Sequence, residues 1–510
     1  MAASQRLHAV TGHLQTPSVM SPSASSQSNG ASSQSSGTIS FTSFSNIVNG
    51  KPRGSKSQYH GVSPATKEEL WPVPIATEQD VEDAVEAAAA AFPAWKNTPF
   101  DKRCELVGKL SDLFMHYEQE FTELLMAETG KPKRFANGEV KSGEDWFQHH
   151  VALKLPEERI EDDDKAITTK YVPLGIVGAI VAWNFPLALA VGKIAPALVT
   201  GNCIIVKPSP FTPYTALKLV EIVQSILPPG VVQALGGDEK LGPWIVSHPG
   251  IQKISFTGSI ATGKKIMAEA AKTLKRVTLE LGGNDASIIC ADVDIEKVAP
   301  QVAFGAFANS GQVCVATKRI YIHESIYEPF VKAMVKFTAS LKVGTAEEEG
   351  VMLGPIQNQM QYEKVTQFFE DSKKNGYKFA AGPDVVESSK GFFIQPTIID
   401  NPPNDSRIIT EEPFGPIVPC QPWTSEPEVI ARANATNTGL GACVWSKDVA
   451  RAVRIAAQLE AGSVFVNSSE KPVPQAVFGG HKESGIGGEW GSTGLLAFCN
   501  AQVLHVYKDK

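Results

Sequence analysis

The sequence lacks the features that define several classes of protein. Its 510 residues include only 7 cysteines, and none of them forms a C-x-x-C pair. We therefore expect neither a disulfide framework nor a structural zinc site, and this use of cysteine favours a reducing, cytoplasmic location. Basic residues are not in excess either, because 47 Lys and Arg stand against 54 Asp and Glu. A net charge of −7 argues against a nucleic-acid partner, which generally requires a basic surface.

Two stretches that lack charge resemble targeting or membrane segments. Residues 1–50 contain no acidic residue and are rich in serine, which is typical of a solvated tail or of a mitochondrial transit peptide. Arg6 is the single arginine there, whereas transit peptides are Arg-rich, so we favour the tail. Residues 171–192 are long enough to span a bilayer, but their prolines and glycines predict a buried strand, a turn and a helix. We therefore expect no membrane partner.

Strand and helix patterns alternate from Leu174 onward. Residues 174–182 form a continuous apolar run typical of a strand buried on both faces, and further strands are predicted at residues 202–206, 231–235, 251–256 and 277–281. Helical patterns separate these runs, so the sequence predicts an α/β fold with a parallel sheet wound on both sides. Ligands bind beyond the carboxyl ends of such strands, where Asn184, Lys207, Gly258 and Glu280 are expected to lie.

Three side chains have the chemistry of a nucleophile, a base and an oxyanion donor. Cys314 lies in the loop sequence NSGQVC, where a substrate could reach its thiol, although a buried cysteine is the alternative. Glu280 lies in LELGG at a strand end, where burial would raise its pKa toward that of a useful general base; a glutamate facing water is the alternative. The Asn184 amide could donate to an oxyanion or could belong to a simple turn.

Other residues suit a nucleotide. Gly258 and Gly263 lie five residues apart in FTGSIATG, where backbone amides at a helix start could approach a phosphate, or where the chain simply turns. Lys207 could bind a ribose or phosphate. Glu412 and Phe414 lie in the rigid loop EEPFGP, where a carboxylate can accept ribose hydroxyls and an aromatic can lie against a flat ring. A solvated acidic turn is the alternative there.

Together these segments resemble the aldehyde dehydrogenase superfamily, in that family's order. The matching motifs are WNFP at 183–186, KPS at 207–209, FTGS at 256–259, LELGG at 279–283, NSGQVC at 309–314, EPFGP at 412–416 and FGGHKESG at 478–485. The resemblance implies an atypical five-stranded Rossmann NAD-binding domain, an α/β catalytic domain and a small bridging sheet used in oligomers. The domains expected from it are a tail at 1–45, NAD binding at 46–154 and 172–283, catalysis at 284–480, and bridging at 155–171 and 481–510.

The resemblance also implies a role for each site residue. Cys314 would be the nucleophile, Glu280 the general base, and Asn184 with the Cys314 backbone amide the oxyanion hole. Trp183 would line the cofactor cleft and Lys207 would bind the adenosine ribose. The remaining cofactor contacts would be Gly258, Ser259 and Gly263 at the pyrophosphate, and Glu412 at the nicotinamide ribose with Phe414 beside it. No metal is implied.

The implied activity is the NAD(P)-dependent oxidation of an aldehyde to a carboxylic acid through a cysteine thiohemiacetal and thioester, in a homodimer or homotetramer. Pro210 stands where many NAD-preferring relatives carry a glutamate, and the loop KPSPFTP is similar to that of betaine-aldehyde-type enzymes. We therefore expect NAD and leave NADP open. Gly192 stands where several relatives carry a bulky aromatic, which predicts a wider substrate tunnel and a substrate bulkier than acetaldehyde. The resemblance also favours a role in specialised metabolism. A CoA-acylating enzyme and a catalytically silent nucleotide-binding or structural protein are the alternatives.

Overall fold

A computed structural model describes residues 39–382 and 390–508 of the chain. Residues 1–38 of the tail predicted at residues 1–45 lie outside the described residues. Within the rest of that range, Phe41 packs against Tyr117 and Phe44 packs against Tyr214, with ring centroids 5.5 Å and 4.7 Å apart. Packed structure therefore begins inside the range predicted as tail.

The first half of the chain begins with four strands and four helices, and strands and helices alternate from Ile176 onward. Its strands are β1 (Asn46–Val48), β2 (Lys51–Arg53), β3 (Gln58–Val62), β4 (Glu69–Pro74), β5 (Glu158–Glu161), β6 (Lys165–Pro173), β7 (Ile176–Ile180), β8 (Cys203–Lys207), β9 (Val232–Ala234), β10 (Lys253–Thr257) and β11 (Arg276–Glu280). Its helices are α1 (Glu78–Asn97), α2 (Phe100–His116), α3 (Glu118–Thr129), α4 (Lys133–Ala152), α5 (Pro186–Val199), α6 (Tyr214–Val223), α7 (Leu241–Ser247) and α8 (Ile260–Ala270).

The second half repeats this alternation. Its strands are β12 (Asp285–Ile289), β13 (Thr317–His323), β14 (Lys378–Ala381), β15 (Thr397–Asp400), β16 (Ile417–Trp423), β17 (Thr438–Gly439), β18 (Gly441–Trp445), β19 (Ser463–Val466), β20 (His481–Lys482), β21 (Gly485–Ile486) and β22 (Cys499–Tyr507). Its helices are α9 (Ile295–Phe307), α10 (Tyr327–Thr338), α11 (Gln359–Lys374), α12 (Arg407–Thr410), α13 (Glu426–Asn434), α14 (Val449–Ala456) and α15 (Gly491–Leu496).

Five parallel strands form the centre of the first sheet, in the order β9-β8-β7-β10-β11. Strands β1 and β2 extend one edge and β21 extends the other, each by antiparallel pairing. Every residue of β7, β8 and β10 is buried, because helices cover both faces of a parallel sheet. The parallel α/β sheet predicted from the sequence is thus confirmed. Lys207 and Glu280 end two of its strands, and Asn184 and Gly258 follow two others.

A second sheet carries the other half of the site. Its order is β14-β15-β16-β13-β12-β18-β19, and all pairs are parallel except β14 with β15. Helices α9 and α10 pack on one face, around a core that includes Phe307 and Phe330. Cys314 lies between α9 and β13, in the connection that leads from this core into the sheet.

A small antiparallel sheet, β22-β6-β5, stands apart from the two large ones. Strand β22 pairs along its whole length with β6 and leaves its other edge free within the described residues. The segment predicted as bridging at 481–510 is divided, because β21 joins the first sheet and only β22 enters the small one. Between residues 39 and 508, as far as they are described, no helix combines the length and apolarity needed to cross a bilayer.

Candidate active site

A tight turn presents Cys314. After α9, Asn309, Ser310 and Gly311 adopt positive φ values of 51°, 55° and 73°, which reverses the chain within three residues. Gly311 is required there, because a Cβ at this position would clash with the carbonyl of Gly415. The turn at residues 309–311, which precedes Cys314, therefore packs directly against the loop that contains Glu412 and Phe414.

Asn184 lies against the same turn, as the strand-end argument predicts. Its side-chain Nδ2 donates to the carbonyl oxygen of Gln312 at 3.1 Å, and Nδ2 of Asn309 donates to the same oxygen at 3.2 Å. Asn184 is 6% exposed, so its amide is shielded from bulk water. Two residues from different sheets, Asn184 and Cys314, are thus brought to one place.

A buried ion pair that sequence reasoning missed holds Asn184. Lys131 pairs with Glu139, and its Nζ also donates to the backbone carbonyl of Asn184 at 2.6 Å. The other Glu139 oxygen, Oε1, accepts from the amides of Leu187 and Ala188 at the start of α5, at 3.1 and 3.2 Å. A carboxylate at a helix N-terminus is favourable. The Lys131–Glu139 pair therefore holds both the start of α5 and the backbone of Asn184. The motif TGKP, with a lysine after a helix-ending glycine, was the available signal.

Glu280 is buried, so the alternative of a glutamate facing water is wrong. It is 3% exposed, and neither carboxylate oxygen has a hydrogen-bond partner among the described residues. Burial raises the pKa of Glu280 well above its ordinary value; Glu489 adds to the rise, and Lys193 and Lys253 oppose it. A carboxyl with a raised pKa is a stronger base once it has lost its proton, so burial suits Glu280 to accept a proton from water.

The groups around Glu280 form a buried polar network below the site. Lys193 and Glu489 form an ion pair, and the Ser255 hydroxyl donates to Glu489 Oε1 at 2.7 Å. Lys253 donates to the Thr278 hydroxyl at 2.6 Å, and burial lowers its pKa to about 7. Sequence reasoning missed this network because Lys193, Ser255 and Lys253 lie inside a helix and a strand whose patterns predict burial, and Glu489 lies more than 200 residues further along the chain.

The thiol of Cys314 differs from the other six. It is partly exposed, whereas the others are buried, and all seven are free. The surrounding protein is still dense enough that burial raises the pKa of Cys314 to about 12, while Lys318 opposes the rise. The resting thiol is therefore neutral, and its ionisation depends on nearby charges.

The glycines of LELGG make room for Glu412. A Cβ on Gly282 would clash with Glu412 Oε2, and the Gly283 amide donates to Oε1 at 3.2 Å. Lys318 Nζ lies 2.9 Å from the same oxygen. The end of β11 and the EPFGP loop therefore fit together as one unit, which neither motif indicates alone.

Two aromatic rings and a buried lysine are the remaining side chains expected at the cofactor. The rings of Trp183 and Phe414 meet edge to face, with centroids 5.4 Å apart. Lys207 is 7% exposed, and burial lowers its pKa to about 8, opposed by Asp238. Its Nζ donates to the Pro208 carbonyl at 3.2 Å, so the ammonium retains hydrogen atoms for a ligand.

The start of α8 has the geometry of an anion site. Ser259 caps the helix, accepting from the Thr262 amide at 3.2 Å, and the Gly258 amide donates to the Glu280 carbonyl at 3.0 Å. Gly263 lies one turn further on, where a Cβ would approach the Leu281 side chain at 2.7 Å. Its amide already donates to the Ser259 carbonyl at 2.9 Å. Gly263 therefore allows close packing of α8 on β11, rather than offering its amide to a phosphate.

The space beside Gly192 is filled, so the wider tunnel predicted at this position is wrong. A Cβ on Gly192 would lie 2.9 Å from Nε1 of Trp490. Trp490 stacks on Phe478 and packs on Trp146, with ring centroids 4.9 and 4.8 Å apart, and Cys314 packs against the hydrophobic cluster that contains Trp490 and Phe478. The bulky aromatic expected from helix α5 is replaced by one from the far end of the chain.

Comparison with known proteins fits this geometry. The family model described as the aldehyde dehydrogenase family matches residues 52–504. This chain belongs to the aldehyde dehydrogenase family. Its activity is accordingly the oxidation of an aldehyde to a carboxylic acid.

Relatives and solved structures of aldehyde dehydrogenases cover nearly the whole chain. The chain is 46% identical over 471 residues to aldehyde dehydrogenase LUC3 of a Fusarium species, covering 92% of this chain and 100% of that one. It is 37% identical over 457 residues to the phenylacetaldehyde dehydrogenase of Pseudomonas fluorescens, covering 87% and 91%. The NAD+ complex of the aldehyde dehydrogenase from Bacillus cereus is similar with a TM-score of 0.89 and 34% identity, covering 91% and 97%.

Proposed function

We propose that this aldehyde dehydrogenase uses Cys314 as nucleophile, Glu280 as general base and Asn184 as oxyanion donor. The observation that carries the proposal is the hydrogen bond from Asn184 to the Gln312 carbonyl, which fixes an amide donor two residues from the thiol. An uncharged amide on a buried support costs little reorganisation when negative charge develops beside it.

In the first step the Cys314 thiol loses its proton to solvent, and the thiolate adds to the aldehyde carbon. The oxygen of the resulting thiohemiacetal becomes negative and is stabilised by the Asn184 amide and the Cys314 backbone amide. A bound nicotinamide supplies the acceptor for the hydride that leaves this carbon, and a thioester remains on Cys314. Glu280 then takes a proton from water as that water attacks the thioester, which releases the acid and the thiol.

The cleft fits NAD. Lys207 offers a buried ammonium to the adenosine ribose, the Ser259-capped start of α8 offers a positive helix end to the pyrophosphate, and Glu412 offers a carboxylate oxygen to the nicotinamide ribose. Trp183 and Phe414 supply aromatic walls. Pro210 brings no carboxylate that would repel a 2′-phosphate, so NADP is the alternative cofactor to be measured beside NAD.

The substrate is a bulky aldehyde, and an aromatic one fits best. Phe478 stacks on Trp490, Trp146 packs on Trp490 at a tilt, and Cys314 packs against the hydrophobic cluster that contains Phe478 and Trp490. Phe478 also lines a cavity of about 240 Å³ together with Phe465, Lys471 and several smaller residues, most of them apolar. A flat apolar wall favours ring-bearing substrates, and the relative named as a phenylacetaldehyde dehydrogenase accords with that choice. A role in specialised metabolism stays a prediction.

A homodimer or homotetramer in the cytoplasm completes the proposal, with the domain limits expected from the sequence. Strand β22 is the edge of the small sheet, and Val503, Leu504, Val506 and Tyr507 on it are each at least 47% exposed. An exposed apolar edge strand is a ready template for pairing with a second copy. Size-exclusion chromatography with light scattering distinguishes a monomer from either assembly.

Activity with an aldehyde panel tests the proposed function. The enzyme is mixed with NAD or NADP and with phenylacetaldehyde or acetaldehyde, in the presence and absence of CoA. We expect reduced cofactor and free acid without CoA, and a higher kcat/KM for the aromatic aldehyde. Strict dependence on CoA would support the acylating alternative, and binding of NAD without turnover of any aldehyde would support the silent one.

A further inference from the structure

A buried lysine links the nucleophile to the cofactor site. Lys318 lies in β13, four residues after Cys314, and its side chain is 4% exposed. Its Nζ donates to the Cys314 backbone carbonyl at 2.6 Å and lies 2.9 Å from Glu412 Oε1. We propose that Lys318 is a positioning residue that ties the nucleophile turn to the ribose-binding carboxylate and supplies the positive charge beside the thiol. The inference rests on the proposed roles of Cys314 and Glu412.

Lys318 remains charged despite its burial. Burial alone would lower its pKa, but Glu412 and Asp285 outweigh that effect, and the pKa of Lys318 is raised overall. Asp285 faces it from β12 and Glu470 from the segment after β19, and burial raises the pKa of both carboxyls. The ammonium thus lies among three acidic side chains and forms its ion pair with Glu412.

The ammonium acts on the thiol by charge and by geometry. Among the groups facing Cys314, Lys318 lowers its pKa, while Glu412 and Asp285 raise it after the larger effect of burial. The bond to the Cys314 carbonyl also restrains the backbone of the nucleophile itself. Removing the lysine should therefore suppress thiolate formation even before any substrate or cofactor binds.

The same ammonium orients Glu412. Lys318 and the Gly283 amide both engage Oε1. Oε2 is left for the hydroxyls of a ribose, and the carboxylate cannot rotate without losing two bonds. Lys364 on α11 is a second cation that acts on Glu412, but its own pKa is lowered, first by burial. Lys318 is thus the cation that holds the carboxylate in place within the described site.

The test measures the thiol directly, without turnover. The rate at which iodoacetamide alkylates Cys314 at pH 8 is followed in the cofactor-free enzyme, with the modified peptide identified by mass spectrometry. An opposite charge within about 4–6 Å commonly shifts a pKa by 1–3 units, so Lys318→Met should slow alkylation by about tenfold or more. It should also weaken NAD binding, measured by quenching of tryptophan fluorescence. Lys318→Arg, which keeps the charge, should restore much of the rate.

A second variant, in which alkylation of Cys314 should become faster, distinguishes an effect of charge from damage to the fold. Glu412→Gln removes the anion that neutralises Lys318, so it should speed alkylation of Cys314 while weakening NAD binding. The matched control is Lys218→Met, because Lys218 is equally buried and pairs with Glu221 and the Ser43 carbonyl. The control should leave the alkylation rate unchanged.

Each outcome decides one of the two claims. Unchanged alkylation in folded Lys318→Met would overturn the inference, as would slower alkylation in Glu412→Gln. If Lys318→Met does not fold, the sign of the change in Glu412→Gln decides alone. Full turnover in Cys314→Ala would instead overturn the proposed function, whatever Lys318 does.

Discussion

Gly192 and Trp490 should behave as one unit in the aromatic wall, because one occupies the space the other leaves. The perturbation is an exchange of the two residues: Gly192→Trp, Trp490→Gly, and the double variant. A Cβ at position 192 would lie 2.9 Å from Trp490 Nε1, so even the first atom of a new side chain has no room. Overpacking of a buried site typically costs about 1–3 kcal/mol, and a whole indole exceeds the available space by far.

Trp490→Gly alone should lower the free energy of unfolding by less than the removal of a buried tryptophan usually does. Truncating a buried tryptophan costs about 3–5 kcal/mol, through lost contacts and the cavity left behind. Trp490, however, has a φ of 62°, where a non-glycine residue is strained by about 1 kcal/mol and glycine is not. The relief of strain offsets part of the loss, which leaves about 2–4 kcal/mol.

The double variant should be more stable than the two single changes predict together. The new indole at 192 enters the space vacated at 490, so we expect a coupling free energy of about 1–3 kcal/mol in a double-mutant cycle, measured by urea unfolding. In kcat/KM, Trp490→Gly should favour bulkier aldehydes over acetaldehyde, and the double variant should reverse that change. Additive stabilities would refute the reasoning, because they would mean that the two side chains do not compete for one space.

The other predictions concern the reacting groups. Cys314→Ser should bind NAD normally but lose turnover by about a thousandfold or more, because a hydroxyl is a far weaker nucleophile than a thiol; near-normal kcat would contradict the mechanism. Glu280→Gln should give a burst of NADH and then slow turnover in rapid mixing. In the parent enzyme thioester hydrolysis should rise with pH as Glu280 loses its proton, above the ordinary carboxyl range, and the variant should lack this rise. Lys131→Met should lower kcat more than it raises KM, because it releases the backbone of Asn184; an effect on KM alone would contradict that role.

The sequence predicted what short segments determine. Strand patterns that alternate with helical patterns predict a parallel sheet, and such sheets bring together the residues at the carboxyl ends of their strands. Asn184, Lys207 and Glu280 were therefore placed correctly without any knowledge of long-range contacts. The turn at Cys314 also follows from its local Asn, Ser and Gly residues.

Contacts between distant segments could not be predicted in this way. No local pattern indicates that Trp490 fills the space beside Gly192, since 298 positions separate the two residues. The pairing of Gly282 with Glu412 is hidden for the same reason. Lys318 is different, because a lysine at the start of an apolar strand and next to the predicted nucleophile was itself a signal of a buried, paired charge.

Burial raises the pKa of both Cys314 and Glu280, and the proposed mechanism uses the two effects at different steps. A thiol with a pKa of about 12 is neutral at rest, and Lys318 is the neighbouring charge that opposes this rise. Addition to the aldehyde therefore depends on the positive charge that acts on the thiol. A carboxylate becomes a stronger base as its pKa rises, so burial of the kind that keeps the thiol neutral also suits Glu280 to take a proton from water in the later hydrolysis.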